Sequence, residues 1–236
     1  MNPAEASDPL HLGRLYGRAK GKPLRPAQVE RVERLLPVVA VPPEGQLSAV
    51  TLFGDDRPLH FEIGFGGGEH LAARADLLPA HGFIGAEPFL NGVASALGHV
   101  EPTVSRPALA NVRLHHGDAL EVLDRMPDGA LNFVYLLHPD PWPKARHAKR
   151  RMMNDGPLRL IAAKLRRGGE FRFSSDHPIY VEHALMVMQR HRDAFEWLID
   201  DAAAMLERPG GWSETRYESK ARRMGHEVWY FRYRRR

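Results

Sequence analysis

Pro139, Pro141 and Pro143 bracket Asp140 and Trp142, Lys144 follows directly, and the run Arg146-His147-Ala148-Lys149-Arg150-Arg151 comes next. This spacing sets a carboxylate, an indole and an ammonium group at alternate positions: one group that can meet positive charge, one that can stack on a planar ring and one that can donate hydrogen bonds. Each proline fixes its own φ and biases the preceding residue away from helix, so the spacing predicts Asp140, Trp142 and Lys144 on a stiff, extended backbone. Ala130 to Leu137, just before, is almost wholly apolar and β-forming, as expected of a strand buried on both faces of a parallel sheet. Asp140 therefore falls beyond the carboxyl end of a strand, the edge at which open α/β sheets bind ligands. An isolated charge run reads as a solvated face; prolines around Asp, Trp and Lys favour a functional loop instead.

A second constellation lies upstream. Leu59 to Ile63 reads as a strand running into Glu62-Ile63-Gly64-Phe65-Gly66-Gly67-Gly68, after which Leu71, Ala72, Ala75 and Leu78 keep helical register until Pro79. The dinucleotide fingerprint Gly-x-Gly-x-x-Gly fails here, because its third glycine would fall on Glu69. The pattern acid-x-Gly-x-Gly-x-Gly fits, with Gly64, Gly66 and Gly68 letting the backbone pass close to a ligand. Phe83 to Glu87 is a short strand ending in a carboxylate about twenty residues on, where a nucleotide ribose presents two hydroxyls. A third strand, Val112 to His115, leads to Gly117-Asp118; read alone, Asp118 is an ordinary helix N-cap. Glu170 to Phe173 delivers Ser174, Ser175 and Asp176 to the same edge. Glu62, Glu87, Asp118, Asp140 and Asp176 thus line one edge of a doubly wound sheet, more carboxylates than architecture alone requires.

The elements that must position these residues follow from periodicity. Helices are expected over Pro26 to Leu36, from Pro88 with Phe89, Val93, Ala94 and Leu97 inward, over Pro157 to Arg167 closed by Gly168-Gly169, and over Tyr180 to Arg190. Pro42, Pro43, Gly45 and Gly54 to Pro58 mark loops. Phe195 to Ile199 and Val228 to Tyr233 read as an antiparallel hairpin, with the polar, aromatic segment Thr215-Arg216-Tyr217-Glu218-Ser219-Lys220 between them. The expected fold class is α/β: a doubly wound, mostly parallel, seven-stranded Rossmann-like sheet with an antiparallel C-terminal hairpin. Residues 1–45 are expected to form a basic arm and short helix, partly disordered, ahead of a single domain over 46–236.

Composition narrows the function classes. A chain of 236 residues with 43% hydrophobic content can bury a sizeable core. Without cysteine there is neither a disulfide framework nor a thiolate metal site, and the 13 histidines show no His-Glu-x-x-His spacing, so no metal is expected. No apolar run reaches membrane-spanning length and no signal-peptide core is present, which predicts a soluble, cytoplasmic protein. Net charge is +4 and the pI about 9.5. Cations gather in Arg14 to Arg25, Arg146 to Arg151, Arg216 to Arg223 and Arg232 to Arg236, so the expected partner is a polyanion, nucleic acid before membrane.

The glycine turn resembles that of class I S-adenosylmethionine-dependent methyltransferases. Pro139-Asp140-Pro141-Trp142-Pro143-Lys144-Ala145-Arg146-His147, taken with Thr215 to Glu218, closely resembles bacterial tRNA (guanine-N7-)-methyltransferases, and the likeness runs from about Arg14 to the C-terminus. That resemblance implies S-adenosylmethionine as cofactor, held by Glu62, Gly64, Gly66, Gly68, Glu87, Asp118 and Asp140, with Asp140 also the active-site acid. It implies substrate contacts from Lys144, Asp176, Thr215, Arg216, Tyr217 and Glu218, and RNA contacts from Arg146, His147, Lys149, Arg150 and Arg151. The implied target is the variable-loop guanine of tRNA, with no metal, membrane or obligatory protein partner.

One departure lies at His138, where the family usually carries an aromatic residue, so the packing under Asp140 is expected to differ. The implied chemistry agrees with the residues present: guanine N7 is an unprotonated lone pair that needs no general base, and a carboxylate such as Asp140 or Asp176 favours the cationic purine that forms. Lys144 or Thr215 could donate to guanine O6, and Trp142 or Tyr217 could stack on the base. The rival readings are an amino-group methyltransferase, from the likeness of Asp140-Pro141-Trp142 to an Asp-Pro-Pro-aromatic loop, and a non-catalytic RNA-binding protein.

Overall fold

Buried apolar runs dictate the sheet. The computed structural model describes residues 21–101, 110–199 and 201–236, so most of the basic arm lies outside the described residues. Strands β1 (Leu59–Ile63) and β2 (Gly82–Ala86) are buried at every position, as strands covered on both faces must be. With β3 (Val112–His115), β4 (Leu131–Leu137), β5 (Leu165–Ser175), β6 (Phe195–Trp197) and β7 (Trp229–Arg235) they form one sheet in the order β3-β2-β1-β4-β5-β7-β6. The first five are mutually parallel, and β7 runs antiparallel between β5 and β6. The expected doubly wound sheet with antiparallel C-terminal strands is therefore what forms.

Side chains alternate between the two faces. Phe61, Ile63, Val134, Leu136, Phe171 and Phe173 join one buried cluster together with residues of α5 (Ala119–Asp124), α6 (Asp155–Lys164) and α7 (Pro178–Arg190). Phe83, Val112 and Leu114 join another with α1 (Pro26–Val39), α3 (Glu69–Leu77) and α4 (Leu90–Val100). Each fully buried large apolar side chain contributes roughly 1.5–3 kcal/mol, so stability resides in these layers and the loops at the strand ends are released for function.

One boundary differs from expectation, and two helices form where no element was assigned. The helix expected to reach Arg167 stops at Lys164, and Gly168-Gly169 sit inside β5, where the register slips from Leu131↔Leu165 to Phe133↔Glu170. A Cβ on Gly169 would stand 3.0 Å from the Asn132 carbonyl oxygen, so this pair serves a strand irregularity and not a helix cap. Between the loops marked by Pro42 to Gly45 and Gly54 to Pro58 lies α2 (Ala49–Phe53), for which no element was expected, started by the Ser48 side chain accepting from Thr51 N and closed by left-handed Gly54. The segment after Thr215 is α8 (Arg216–Arg223), for which Thr215 is the N-cap.

Candidate active site

Because β1 to β5 are parallel, their carboxyl ends meet at one edge, with Ile63 beside Ala86 and Leu136, and Leu137 beside Ser174. The loops that follow them enclose a cavity of about 610 Å³. Gly64, Gly66, Glu87 and Asp118 line it, as do Asp140 and Trp142. Lys149, Arg150 and Arg151 reach the same cavity from the segment after the proline loop, and Arg216 and Tyr217 reach it from α8.

The glycine turn is a cradle with a function for each glycine. Gly64, Gly66 and Gly68 have φ of 66°, 57° and 81°, the left-handed region that side chains disfavour. A Cβ on Gly64 would meet nothing within 4 Å, so the backbone there faces open space. A Cβ on Gly68 would stand 2.4 Å from Ala96 Cβ, so this glycine lets α3 pack on α4. Gly92, which sequence reasoning did not single out, passes so close beneath the turn that a Cβ would stand 2.3 Å from the Gly66 carbonyl oxygen.

Glu87 locks the turn to β2: Gly66 N–H donates to its Oε2 at 2.8 Å and Phe89 N–H to its Oε1 at 2.9 Å. Burial raises its carboxyl above the usual glutamate range, against the lowering effect of those two N–H donors. Asp118 is buried and caps α5 by accepting from Leu120 N–H at 2.9 Å. Glu62 stands behind the turn, off the cavity wall, with Oε2 2.8 Å from Nδ1 of the equally buried His70.

The proline loop is not extended as its prolines predict. His138 and Trp142 both have positive φ, 49° and 42°, although each immediately precedes a proline. Tertiary contacts hold this strained backbone: His138 N–H donates to the Ser174 carbonyl at 2.9 Å, and Arg151 donates from Nε to Pro141 O at 3.0 Å and from Nη2 to Trp142 O at 2.9 Å. Arg151 is 5% exposed, so its guanidinium is turned into the protein. Asp140 projects at the cavity, and the protein packed around it raises its carboxyl above the usual aspartate range by desolvation.

Beyond Lys144, which is exposed, Ala145–Arg150 is a 3-10 turn. Its Arg150 guanidinium lies 4.9 Å from the Trp142 ring centroid, and the His147 ring meets Trp142 edge-on at 5.7 Å. Arg146 and Lys149 are exposed on the same turn. The turn and the segment after it are anchored from α7, where Tyr180 OH accepts from Met153 N–H at 3.1 Å.

The remaining substrate candidates surround the cavity without lining it. Asp176 stands between His138 and His226, 3.5 Å from Nδ1 of each. Thr215 Oγ1 accepts from Glu218 N–H at 3.1 Å, and the buried Glu218 carboxylate accepts from Tyr230 OH and from Arg208 Nε at 2.7 Å. From the same helix, Tyr217 leans over the glycine turn: a Cβ on Gly66 would stand 2.9 Å from its Cε2. Arg151's clamp and the His70 partner of Glu62 were missed by sequence reasoning, because neither pairing has a local signature. Among the described residues, no group of three or more His, Cys, Asp or Glu is arranged to hold a metal ion, and no helix is long and apolar enough to cross a membrane.

This strand order, with a left-handed glycine cradle and acids at the strand ends, defines an S-adenosylmethionine-dependent methyltransferase of the Rossmann-like α/β class. Residues 56–231 match the family model described as "Putative methyltransferase". A tRNA (guanine-N(7)-)-methyltransferase of Sphingopyxis alaskensis is 71% identical over 237 residues, and one of Novosphingobium aromaticivorans is 67% identical over 238, each comparison covering 100% of both chains. The solved structure of the 16S rRNA methyltransferase KamB shares the fold, with a TM-score of 0.54 at 15% identity over 84% of this chain and 99% of that one. The chain belongs to the tRNA (guanine-N7-)-methyltransferase family.

Proposed function

We propose that this protein transfers the methyl group of S-adenosylmethionine to N7 of the variable-loop guanine of tRNA, giving 7-methylguanosine. The observation that carries the reading is one cavity bounded both by the glycine cradle with Glu87 and Asp118 and by Asp140, Trp142 and the cationic turn. The cradle fits the cofactor: at Gly64 a side chain would enter open space, and Glu87 already holds the turn in the left-handed shape that brings backbone close to a ligand.

S-adenosylmethionine supplies an electrophilic methyl group. The protein's own residues bind and orient. Glu87 accepts from ribose hydroxyls, because a carboxylate has lone pairs beyond those engaged by Gly66 and Phe89. Asp118 receives the adenine amino group, and Glu62, braced by His70 behind the turn, supplies the negative charge that favours the amino-acid ammonium. On the substrate side Trp142 and Tyr217 stack on the extruded guanine, Lys144 donates to its O6, Asp176 contacts the base, and the buried Thr215 and Glu218 hold the helix that carries Tyr217. Guanine N7 already carries the attacking lone pair, so positioning supplies most of the rate, and Asp140 offsets the charge that develops on the purine. Arg146, His147, Lys149 and Arg150 engage phosphates, while Arg151 holds the loop in place. Since the substrate is tRNA, the enzyme works in the cytoplasm.

The test is incubation with bulk unmodified tRNA and labelled cofactor, followed by nucleoside analysis. The expected product is 7-methylguanosine. Label on an exocyclic amine, or cofactor and tRNA binding without transfer, would overturn the reading.

A further inference from the structure

His138 is a buried imidazole directly before the proline loop, set against the carboxylate of Asp176. The side chain is 4% exposed. Its backbone is held at φ 49° between the ends of β4 and β5 by the bond to Ser174, so the ring has little freedom to turn. Neither ring nitrogen has a hydrogen-bond partner of full geometry, but Nδ1 points to Asp176 Oδ1 at 3.5 Å, and Asp176 Oδ2 is 3.5 Å from Nδ1 of the half-exposed His226. A carboxylate is therefore set between a fixed inner imidazole and an outer one that follows α8, the helix that carries Tyr217 into the cavity.

Burial keeps His138 neutral, its pKa lowered by desolvation against the opposing pull of Asp176. A neutral imidazole carries one N–H, and beside a carboxylate that proton belongs on Nδ1. A phenyl ring would fill the same space and donate nothing. Hydrogen bonds in open sites are often long and tighten when substrate enters, so a separation of 3.5 Å suits a device that acts on the bound complex.

We infer that His138 is a positioning residue for the substrate: its Nδ1–H holds the Asp176 carboxylate in the orientation that receives the target guanine, with His226 bracing the other oxygen. This rests on the reading of Asp176 as a substrate contact.

The experiment is steady-state kinetics on tRNA with saturating cofactor for wild type, His138→Phe, His138→Asn and His138→Gln, each also in an Asp176→Ala background. The Asn amide nitrogen stands near the place of imidazole Nδ1, and the Gln amide nitrogen near that of Nε2. His138→Phe should lower kcat/KM for tRNA about tenfold, the effect of losing one charge-assisted hydrogen bond, while cofactor affinity by calorimetry stays unchanged. His138→Asn should recover most of that loss, and His138→Gln should not. In the Asp176→Ala background the three substitutions should become silent, because their effect runs through Asp176. Wild-type turnover by His138→Phe, equal behaviour of Asn and Gln, or additivity with Asp176→Ala overturns the inference. Should a substitution also weaken folding, the Asn against Gln comparison and the double-variant cycle still decide. A wild type that makes no 7-methylguanosine removes the proposed function itself, an outcome distinct from an active wild type matched by His138→Phe.

Discussion

The buried guanidinium of Arg151 donates to the carbonyl oxygens of Pro141 and Trp142, at 3.0 and 2.9 Å, and so sets from below the loop that carries Asp140. A planar fork can serve two adjacent carbonyls at once, whereas a lysine ammonium is a point charge on a flexible stem. Arg151→Lys should therefore destabilise the protein by about 1.5–3 kcal/mol, the scale of hydrogen bonds to a charged group, and lower single-turnover rate about tenfold by loosening Trp142 and Asp140. In Arg151→Gln, which removes the charge, the salt dependence of tRNA binding should not change. Denaturant unfolding and a rate at saturating substrates check the first two; a flattened salt slope would return Arg151 to the phosphate contacts.

Gly66 offers a test of the cofactor site that spares the core. Its φ of 57° disfavours any side chain, and a Cβ would press on the Tyr217 ring at 2.9 Å. Tyr217 is 45% exposed and can swing aside, so Gly66→Val should fold with a cost of about 1–2 kcal/mol for the left-handed backbone. It should nonetheless lose measurable S-adenosylmethionine binding, because the branched side chain stands where the ligand approaches. Titration calorimetry alongside circular dichroism reads both; binding equal to wild type would move the cofactor elsewhere.

The sheet and its strand-end acids were legible because the signals are local. An apolar run followed at once by a carboxylate needs no knowledge of the rest of the chain, and β1 and β3 have the boundaries their sequences predict. The side chains that brace the site were not legible. Arg151 sits at the end of a cationic run that reads as one set of RNA contacts, and only its burial against Pro141 and Trp142 separates it from Lys149. Local rules put Trp142 in extended backbone, and that tertiary clamp overrides them. For α8 the signal is local: Thr215-x-x-Glu218 has the Thr-x-x-Glu spacing of a capping box, and Thr215 does cap the helix. The partners of Glu218, Arg208 and Tyr230, carried no signal at their sequence separation.

Binding of tRNA should weaken steeply with salt. Arg146 and Lys149 are exposed on the 3-10 turn beside the cavity. Each phosphate they neutralise should release about 0.7–0.9 condensed counterions. The paired change Arg146→Gln, Lys149→Gln should therefore flatten the slope of log affinity against log salt by roughly 1.5. Filter binding or fluorescence anisotropy across a salt series measures it, and an unaltered slope would make the turn a solvated face.

Asp140 should matter to turnover and little to folding. Its carboxyl is raised by desolvation, so the charged form is disfavoured in the folded state. The group contributes stability below the unfolded pKa that is lost as pH rises through the folded pKa. Asp140 is exposed, so Asp140→Asn at neutral pH removes a charge that is only partly desolvated, and the melting temperature should hold. Activity has the opposite sign, since the carboxylate is the form that offsets charge on the methylated purine. The wild-type single-turnover rate, with both substrates saturating, should therefore fall as pH drops through a midpoint above the ordinary aspartate value. Asp140→Asn should reduce the plateau by a factor of roughly ten to a thousand, the scale of one lost electrostatic stabiliser. It should also erase the acid limb if Asp140 alone sets it. A limb that survives in the Asn variant with the plateau still lowered would assign it to Glu87, whose carboxyl is likewise raised by burial. In that case cofactor affinity measured by calorimetry should fall over the same pH interval. A plateau close to wild type would show that the loop holds the base without its charge.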